Sequence, residues 1–332
     1  MSAFADVAGT LPCPDADAAA TAQQRAAHVL RPTGALARLD DLAVWLAGWQ
    51  RTARPRVERP AALIFVADHG VAAAADVSAY PTSITASMLA AFRAGVSSIN
   101  VMARHVGATV LAVDVGVGRP TADLRIEAAM DDGRFAHAVT AGRDAVAALD
   151  ADLLVVGEMG IGNTTAAAAV CTSLLGGEPA SWVGRGTGVD EAGLARKIAA
   201  VRDGCERIAA VTDPERVLRE VGGAELAAIA GAVLEARLRS LPVVLDGYVT
   251  AAAVLPLARL APDALAHCVA GHCSAEPGHR RVLEALGLRP LLDLDLRLGE
   301  GSGAMAAVPL LALACRLVTD VPTFDEWLGA AP

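Results

Sequence analysis

The chain has 332 residues and a formal net charge of −9, and 54% of its residues are hydrophobic but only 3% are aromatic. This length allows one large α/β domain, or a large and a small one, and a core of Ala, Val and Leu suits helices on a buried parallel sheet. The acidic balance, without a Lys/Arg cluster, argues against a nucleic-acid partner but not against an anionic small molecule.

The sequence also argues against export and membrane insertion. It does not open with a charged segment followed by an apolar one, so no signal peptide is predicted. We expect apolar stretches to be interrupted, as at Asp246 and Arg259, before they reach membrane-spanning length. The six cysteines form no CxxC pair, which argues against a zinc knuckle or a redox pair. We therefore expect a cytoplasmic protein with no metal and no other cofactor.

The chain begins with a segment that predicts little regular structure. Residues 1–22 are rich in Ala, Asp and Pro and are predicted to form a flexible arm or a partial helix. Residues 23–60 carry apolar positions at helical spacing, with Trp45 and Trp49 adding bulk. We predict that this segment forms a small helical subdomain with residues 305–332, and that residues 61–304 form a large α/β catalytic domain.

Short apolar strands alternate with helices along the large domain. Strands are predicted at 61–66, 109–113, 153–156, 242–245 and 264–269, with a strand-like run at 291–298. Helices are predicted at 85–102, 140–149 and 304–317. The alternation predicts an α/β fold with an open, mostly parallel sheet flanked by helices.

Most of these strands end in a short loop of Gly with Asp, Glu, Asn, His or Tyr. The loops lie at 68–70, 114–116, 157–163, 246–248 and 271–279. In an open parallel sheet these carboxyl ends face one crevice, where ligands bind. The sequence therefore predicts an active site at this edge. In the first loop we expect a hydrogen bond between Asp68 and His69 rather than a metal site, because no third ligand lies at a suitable spacing.

The loop at 157–163 separates the third strand from an alanine-rich helix. Its three glycines permit positive φ and let the backbone approach a ligand closely. A helix that begins at Asn163 or Thr164 points free N–H groups into the loop, with the positive end of the helix dipole behind them. This predicts a site for an anion such as a phosphate. The alternative is a tight turn without a ligand, since glycine-rich turns are common.

A second glycine-rich loop lies at 184–188. Its N–H groups could serve a phosphate or a ribose, with Arg185 or Lys197 supplying positive charge. For Lys197 the alternative is an ordinary charge on the surface of the following helix.

Two carboxylates are candidates for acid/base chemistry. Glu300 lies between Gly299 and Gly301, and a carboxylate held in a dry cleft can abstract a proton. The alternative is a glutamate stabilised by the dipole of the helix that follows, and Glu158 has the same two interpretations. Two carboxylates near an anion site suit chemistry at a sugar carbon, where one acts as base and the other stabilises positive charge at the anomeric centre.

Seven motifs that occur in order resemble those of the nicotinate-nucleotide–dimethylbenzimidazole phosphoribosyltransferase family, which prepares the lower ligand of cobalamin. The resemblance covers about residues 25–328. The motifs are RPTGALARLD at 31–40, ADHG at 67–70, VSAYP at 77–81, GEMGIGNTT at 157–165, GRGTG at 184–188, SAEPGH at 274–279 and RLGEGSG at 297–303.

The resemblance implies a Rossmann-like fold, a homodimer and a reaction between two small molecules without a metal. Nicotinate mononucleotide and 5,6-dimethylbenzimidazole, or a related base, give α-ribazole 5′-phosphate and nicotinate. The resemblance makes Glu300 the catalytic base, and Glu158 is the second catalytic candidate. From the acidic charge and the interrupted apolar stretches, we expect no nucleic-acid or membrane partner.

The resemblance also assigns the substrates to particular residues. It implies that the phosphate and ribose are bound by the two glycine-rich loops and the helix after them: Gly157, Met159, Gly160, Ile161, Gly162, Asn163, Thr164, Gly184, Arg185, Gly186, Thr187, Gly188 and Lys197. It implies that the benzimidazole is bound by Ser78, Tyr80, Ser87 and Leu298. The chain departs from the family at Ser87, where members often carry Gln, and at Thr33 and Ala35, where Pro and Ser are usual, and these departures bear on which base is accepted.

Two other functions fit the same residues. A nucleosidase would use water in place of the base and release free ribose phosphate. A carrier protein would bind the base or the nucleotide without converting it.

Overall fold

The central sheet contains five strands, all parallel to their neighbours. The structure is a computed structural model that describes residues 2–4, 9 and 11–329. The strands of this sheet are β1 (Pro60–Ala67), β2 (Thr109–Gly116), β3 (Leu153–Met159), β4 (Val243–Leu245) and β5 (Cys268–Ala270). Their order is β2-β1-β3-β4-β5. A second, two-stranded parallel sheet is formed by β6 (His272–Cys273) and β7 (Leu292–Asp293).

Helices connect the strands and cover both faces of the sheet. Within the described residues they are α1 (Ala16–His28), α2 (Arg38–Gln50), α3 (Gly70–Ala75), α4 (Ile84–Ala94), α5 (Ser98–Val106), α6 (Asp132–Ala147), α7 (Asn163–Leu175), α8 (Glu191–Arg207), α9 (Pro214–Val221), α10 (Ala224–Leu238), α11 (Tyr248–Leu260), α12 (Pro277–Ala285), α13 (Ser302–Thr319) and α14 (Phe324–Gly329). The predicted α/β class with a parallel sheet is confirmed.

The sheet is buried on both faces, as the continuous apolar runs of its strands require. Successive side chains of β1 point to opposite sides, so Phe65 belongs to an apolar cluster with residues of α7, α10 and α11, whereas Ile64 belongs to a second cluster with residues of α5 and α13. Few aromatic residues are needed because small residues bring helices close together. A Cβ on Gly142 of α6 would lie 1.9 Å from the Ala228 carbonyl oxygen of α10, so these two helices touch through their backbones.

Two predicted elements differ from those observed. The predicted helix at 85–102 is two helices, because Gly95 adopts a φ of 74° at the end of α4 and Ser97 and Asn100 form a capping box at the start of α5. The predicted strand at 264–269 is reduced to β5, because the preceding residues form turns that close on the Asp263 and Leu265 carbonyls.

The N-terminal and C-terminal segments pack on each other through α1, α2 and α13. The predicted boundary at residue 22 falls inside α1, which is capped by Asp15, while residues 1, 5–8, 10 and 330–332 of the two predicted segments lie outside the described residues. Leu46 of α2 and Val308 of α13 share one apolar cluster with β1 and β3. The division into an arm, a helical subdomain and an α/β domain stays a prediction.

Two stretches are long and apolar enough to cross a membrane, judged by length and composition alone. They are Ile84–Val106, which comprises α4 and α5, and Ser302–Thr319, which is α13. Our expectation that every apolar stretch is interrupted before this length is wrong for these two, since one or two charges leave their mean hydropathy high. The observation is weak evidence for a membrane, because buried core helices have the same composition, and α13 packs against α2 and β3.

Candidate active site

The strand order places a crevice at the carboxyl ends of β1 and β3. The chain proceeds from β1 outward to β2 and then returns to the other side of β1, so the direction of winding reverses there. Ligands bind at such a reversal in open α/β sheets. A cavity opens at this edge, and the following predicted residues line it: Ser78, Glu158, Met159, Gly160, Ile161, Gly162, Asn163, Thr164, Gly186, Thr187, Lys197 and Leu298.

The loop after β3 is held tightly against its neighbours. A Cβ on Gly160 would lie 2.7 Å from the Ala67 carbonyl oxygen at the end of β1, and Gly162 adopts a φ of 94° directly before α7. Only glycine fits the first position, and glycine is strongly favoured at the second. The N-terminus of α7, a helix of 13 residues, therefore opens onto the cavity, as expected for an anion site.

Lys197 is buried between the two glycine-rich loops and is not a surface charge. Its Nζ donates to the Thr164 hydroxyl at 2.9 Å and to the Gly184 carbonyl oxygen at 2.8 Å. An ammonium group has three donors, so one remains for a ligand in the cavity. Burial lowers the pKa of Lys197, and the nearby Glu276 opposes this effect. The structure therefore favours the functional interpretation of this residue.

The remaining residues of the second loop lie beside the cavity rather than in it. Gly184, Arg185 and Gly188 line an adjoining pocket. The Arg185 guanidinium donates to the Val189 carbonyl oxygen at 2.9 Å and pairs with Glu191, so its charge is directed toward the start of α8.

Glu158 lies at the end of β3 with its carboxyl group facing the cavity. The Asn163 side-chain amide donates a hydrogen bond to it. Burial, together with the charges of Glu225, Asp246 and Glu300, raises the pKa of Glu158 to about 8 against the opposing effect of Asn163. Glu158 is therefore largely protonated at neutral pH.

Glu300 lies in a turn that packs directly on the backbone of β3. Its φ is 65°, a left-handed conformation that costs a non-glycine residue roughly 1 kcal/mol. Its N–H donates to the Glu158 carbonyl oxygen at 3.3 Å, and a Cβ on Gly157 would lie 2.5 Å from the Glu300 carbonyl carbon. The two candidate carboxylates are thus neighbours although they are far apart in sequence.

The Glu300 side chain is buried and does not line the cavity, whereas the preceding Leu298 and Gly299 do. Its Oε2 has no hydrogen-bond partner among the described residues. Burial raises the pKa of Glu300 to about 7, the Ile99 N–H opposes the rise, and the charge of Asp246 adds to it. A carboxyl group that titrates near neutral pH suits a general base.

The residues assigned to the benzimidazole are only partly brought together. Ser78 and Leu298 line the cavity, and the Ser78 hydroxyl contacts that of Thr187 at 3.4 Å. Tyr80 is 54% exposed, and the Ser87 hydroxyl donates to the Ser83 carbonyl oxygen at 3.3 Å on the exposed side of α4. Neither of these two lines the cavity in the described structure, so their assignment stays a prediction.

The expected hydrogen bond between Asp68 and His69 is not what the structure shows. His69 pairs instead with Glu225 of α10, and both side chains are fully buried. Asp68 accepts a hydrogen bond from the Gly118 N–H at 2.7 Å. In an extended chain successive side chains point in opposite directions, which separates these two. Among the described residues, no three His, Cys, Asp or Glu side chains form a group that could hold a metal ion.

Several residues that line the cavity were not singled out from the sequence. They come from the start of α11, from β6 and the loop after it, and from the loop after β7: Gly247, Tyr248, Val249, His272, Ser274, Glu276 and Arg297. Glu276 accepts a hydrogen bond from the Gly186 N–H at 3.0 Å and so joins the second glycine-rich loop to the start of α12. Sequence features could have identified these residues, since they belong to the polar strand-end loops and to the SAEPGH and RLGEGSG motifs.

Comparison with known proteins gives matches over nearly the whole chain. A family model described as "Phosphoribosyltransferase" matches residues 11–327. The nicotinate-nucleotide–dimethylbenzimidazole phosphoribosyltransferase of Novosphingobium aromaticivorans is 49% identical over 98% of this chain and 96% of its own length. The protein of that name from Mesorhizobium japonicum is 48% identical over 95% of this chain and 94% of its own.

The fold matches solved structures equally well. The crystal structure of CobT from Thermus thermophilus superposes with a TM-score of 0.89 at 44% identity, covering 95% of this chain and 99% of that one.

Proposed function

The chain belongs to the nicotinate-nucleotide–dimethylbenzimidazole phosphoribosyltransferase family, and we propose that it transfers phosphoribose from nicotinate mononucleotide to 5,6-dimethylbenzimidazole. The products are α-ribazole 5′-phosphate and nicotinate. The observation that carries the proposal is one cavity that joins the α7 N-terminus and Lys197 to Glu158, with the Glu300 turn packed on the backbone of Glu158.

The nucleotide's phosphate binds at the α7 N-terminus and Lys197, and its ribose lies toward Glu158. Lys197 supplies a charge-assisted hydrogen bond. Because its pKa is about 8, Glu158 is mostly a neutral carboxyl group at neutral pH, where it can donate a hydrogen bond to a ribose hydroxyl. It stabilises positive charge at the anomeric carbon only in its ionised form.

The reaction is an in-line displacement at the anomeric carbon. A benzimidazole nitrogen forms a bond to this carbon, the bond to nicotinate breaks, and its electron pair stays on the pyridine nitrogen. The configuration changes from β to α because attack and departure occur on opposite faces. The other benzimidazole nitrogen loses its proton to the Glu300 carboxylate, which leaves the product ring neutral.

The test is to incubate the protein with nicotinate mononucleotide, with and without 5,6-dimethylbenzimidazole, and to identify the products by mass and chromatography. We expect α-ribazole 5′-phosphate and nicotinate only when the base is present. Free ribose phosphate formed without the base would indicate a nucleosidase. Bound but unconverted substrates at enzyme excess would indicate a carrier.

We also propose that the protein is a cytoplasmic homodimer whose interface includes α4 and α5. Val96, between these two helices, and Val101 of α5 are 68% and 55% exposed, and burial of such apolar side chains between subunits favours association. We expect a dimer at micromolar concentration by light scattering, and Val101→Asp should shift it toward monomer. Leu260→Asp, at an exposed apolar site on α11, is the matched control. A wild-type monomer at this concentration would contradict the proposal.

A further inference from the structure

The turn that carries Glu300 is held by a buried carboxyl group from another strand. Gly299, Glu300 and Gly301 have φ of 80°, 65° and 85°, so the backbone is left-handed through the whole turn. Asp246, directly after β4, accepts hydrogen bonds from the Gly301 N–H at 3.1 Å and from the Ala304 N–H at 2.8 Å. Three successive left-handed residues persist only where the surroundings hold them, and Asp246 provides two of these restraints.

Asp246 is buried at a position where the charged form of a carboxyl group is destabilised. It is 1% exposed, and the Nε2 of His272, which has no hydrogen-bond partner among the described residues, lies 3.5 Å from its Oδ1. The N-terminus of α13 compensates in part, because the Gly301, Gly303 and Ala304 N–H groups all lower the pKa of Asp246. Burial has the larger effect and raises that pKa to about 7. A structural cap on a surface helix would not need this burial.

We propose that Asp246 is a positioning residue for the transfer reaction, which fixes the Glu300 carboxylate against the cavity through Gly301 and Ala304. The inference rests on the proposed function, since it assigns Asp246 a role toward the base of that reaction. Asp246 also acts through its charge. The carboxyl groups that face Glu300 are Asp246 and Glu158, and the charge of Asp246 raises the pKa of Glu300.

Asp246→Asn distinguishes a role in positioning Glu300 from a role in binding the substrate. The Asn side chain has nearly the same shape but only one acceptor oxygen, so either the Gly301 or the Ala304 N–H loses its partner. We expect kcat to fall about 10- to 100-fold, while the KM for nicotinate mononucleotide changes less than about threefold because Lys197 and α7 are untouched. Removal of the charge lowers the pKa of Glu300, so the acid limb of the kcat/KM profile should move to lower pH.

Asp152→Asn is the matched control. Asp152 is also buried and also accepts two backbone hydrogen bonds, from the Glu58 N–H at 2.9 Å and the Arg59 N–H at 3.0 Å, but it precedes β3 at the opposite edge of the sheet. Its loss should lower the melting temperature and leave kcat and the acid limb unchanged. The inference is overturned if Asp246→Asn keeps wild-type kcat and an unmoved limb, or if it resembles Asp152→Asn in every measurement.

Asp246→Glu serves as a second variant if Asp246→Asn does not fold. It keeps the charge and lengthens the side chain, so we expect kcat to fall about tenfold with the acid limb unmoved; wild-type kcat would overturn the inference. Failure of the proposed function is distinguishable, because the wild-type protein would then form no α-ribazole 5′-phosphate at all.

Discussion

Glu300→Gln is expected to reduce kcat about 10²- to 10⁴-fold with both substrates saturating, because the amide cannot accept the benzimidazole proton. The substitution preserves shape and removes a charge from a buried site, so the fold and the melting temperature should be retained. Steady-state kinetics with product identification measures the effect. Glu284→Gln, at an exposed site on α12, is the control and should keep wild-type activity.

The pH dependence of kcat/KM in the same variant also tests whether Glu300 is the base. Since burial raises the pKa of Glu300 to about 7, the wild-type base is protonated, and inactive, at lower pH. Wild-type kcat/KM should therefore fall about tenfold per unit below about pH 7, and the residual activity of Glu300→Gln should lack this limb. Near-normal turnover in Glu300→Gln would remove Glu300 from the role of base.

Lys197→Met is expected to raise the KM for nicotinate mononucleotide about 30- to 100-fold. A charge-assisted hydrogen bond to phosphate contributes about 2–3 kcal/mol, and its loss accounts for this change. Methionine has a similar length and no charge, so it can fill the space between Thr164 and Gly184.

Nicotinate riboside, which lacks the phosphate, distinguishes two roles of Lys197. One is binding of the phosphate, and the other is holding the two glycine-rich loops in place. If Lys197 binds the phosphate, Lys197→Met should leave kcat/KM for the riboside nearly unchanged and remove the preference for the phosphorylated substrate. Equal losses with both substrates would show a structural role instead. Arg196→Met is the control, because the neighbouring Arg196 is exposed and pairs with Asp76 at 2.9 Å.

The elements that were predicted well are those that local sequence determines. Apolar runs that end in glycine and a polar residue located β1, β2 and β3 and their loops, and the alternation with helices identified the parallel sheet. Gly95 was a visible break, yet the apolar residues around it favoured one helix over two. The strand-like run at 291–298 contributes only Leu292 and Asp293 to a strand.

The features that could not be predicted depend on contacts between distant segments. The burial of Lys197 requires that Thr164 and Gly184 lie on either side of it, and no local pattern shows this. The His69–Glu225 pair joins residues 156 positions apart. Sequence placed Glu300 in a glycine-flanked turn, but the packing of this turn on β3 and the hydrogen bonds from Gly301 and Ala304 to Asp246 arise only when β3, β4 and α13 meet.

The backbone contact between Gly157 and Glu300 also bears on synthesis at the ribosome. The ribosome synthesises the segments proposed to bind the phosphate about a hundred residues before it reaches Glu300. These segments extend from the loop after β3 to Lys197. A nascent chain therefore contains both proposed phosphate loops before Glu300, the proposed base, is synthesised. A chain that stops before residue 300 lacks the proposed base and is therefore expected not to carry out the transfer.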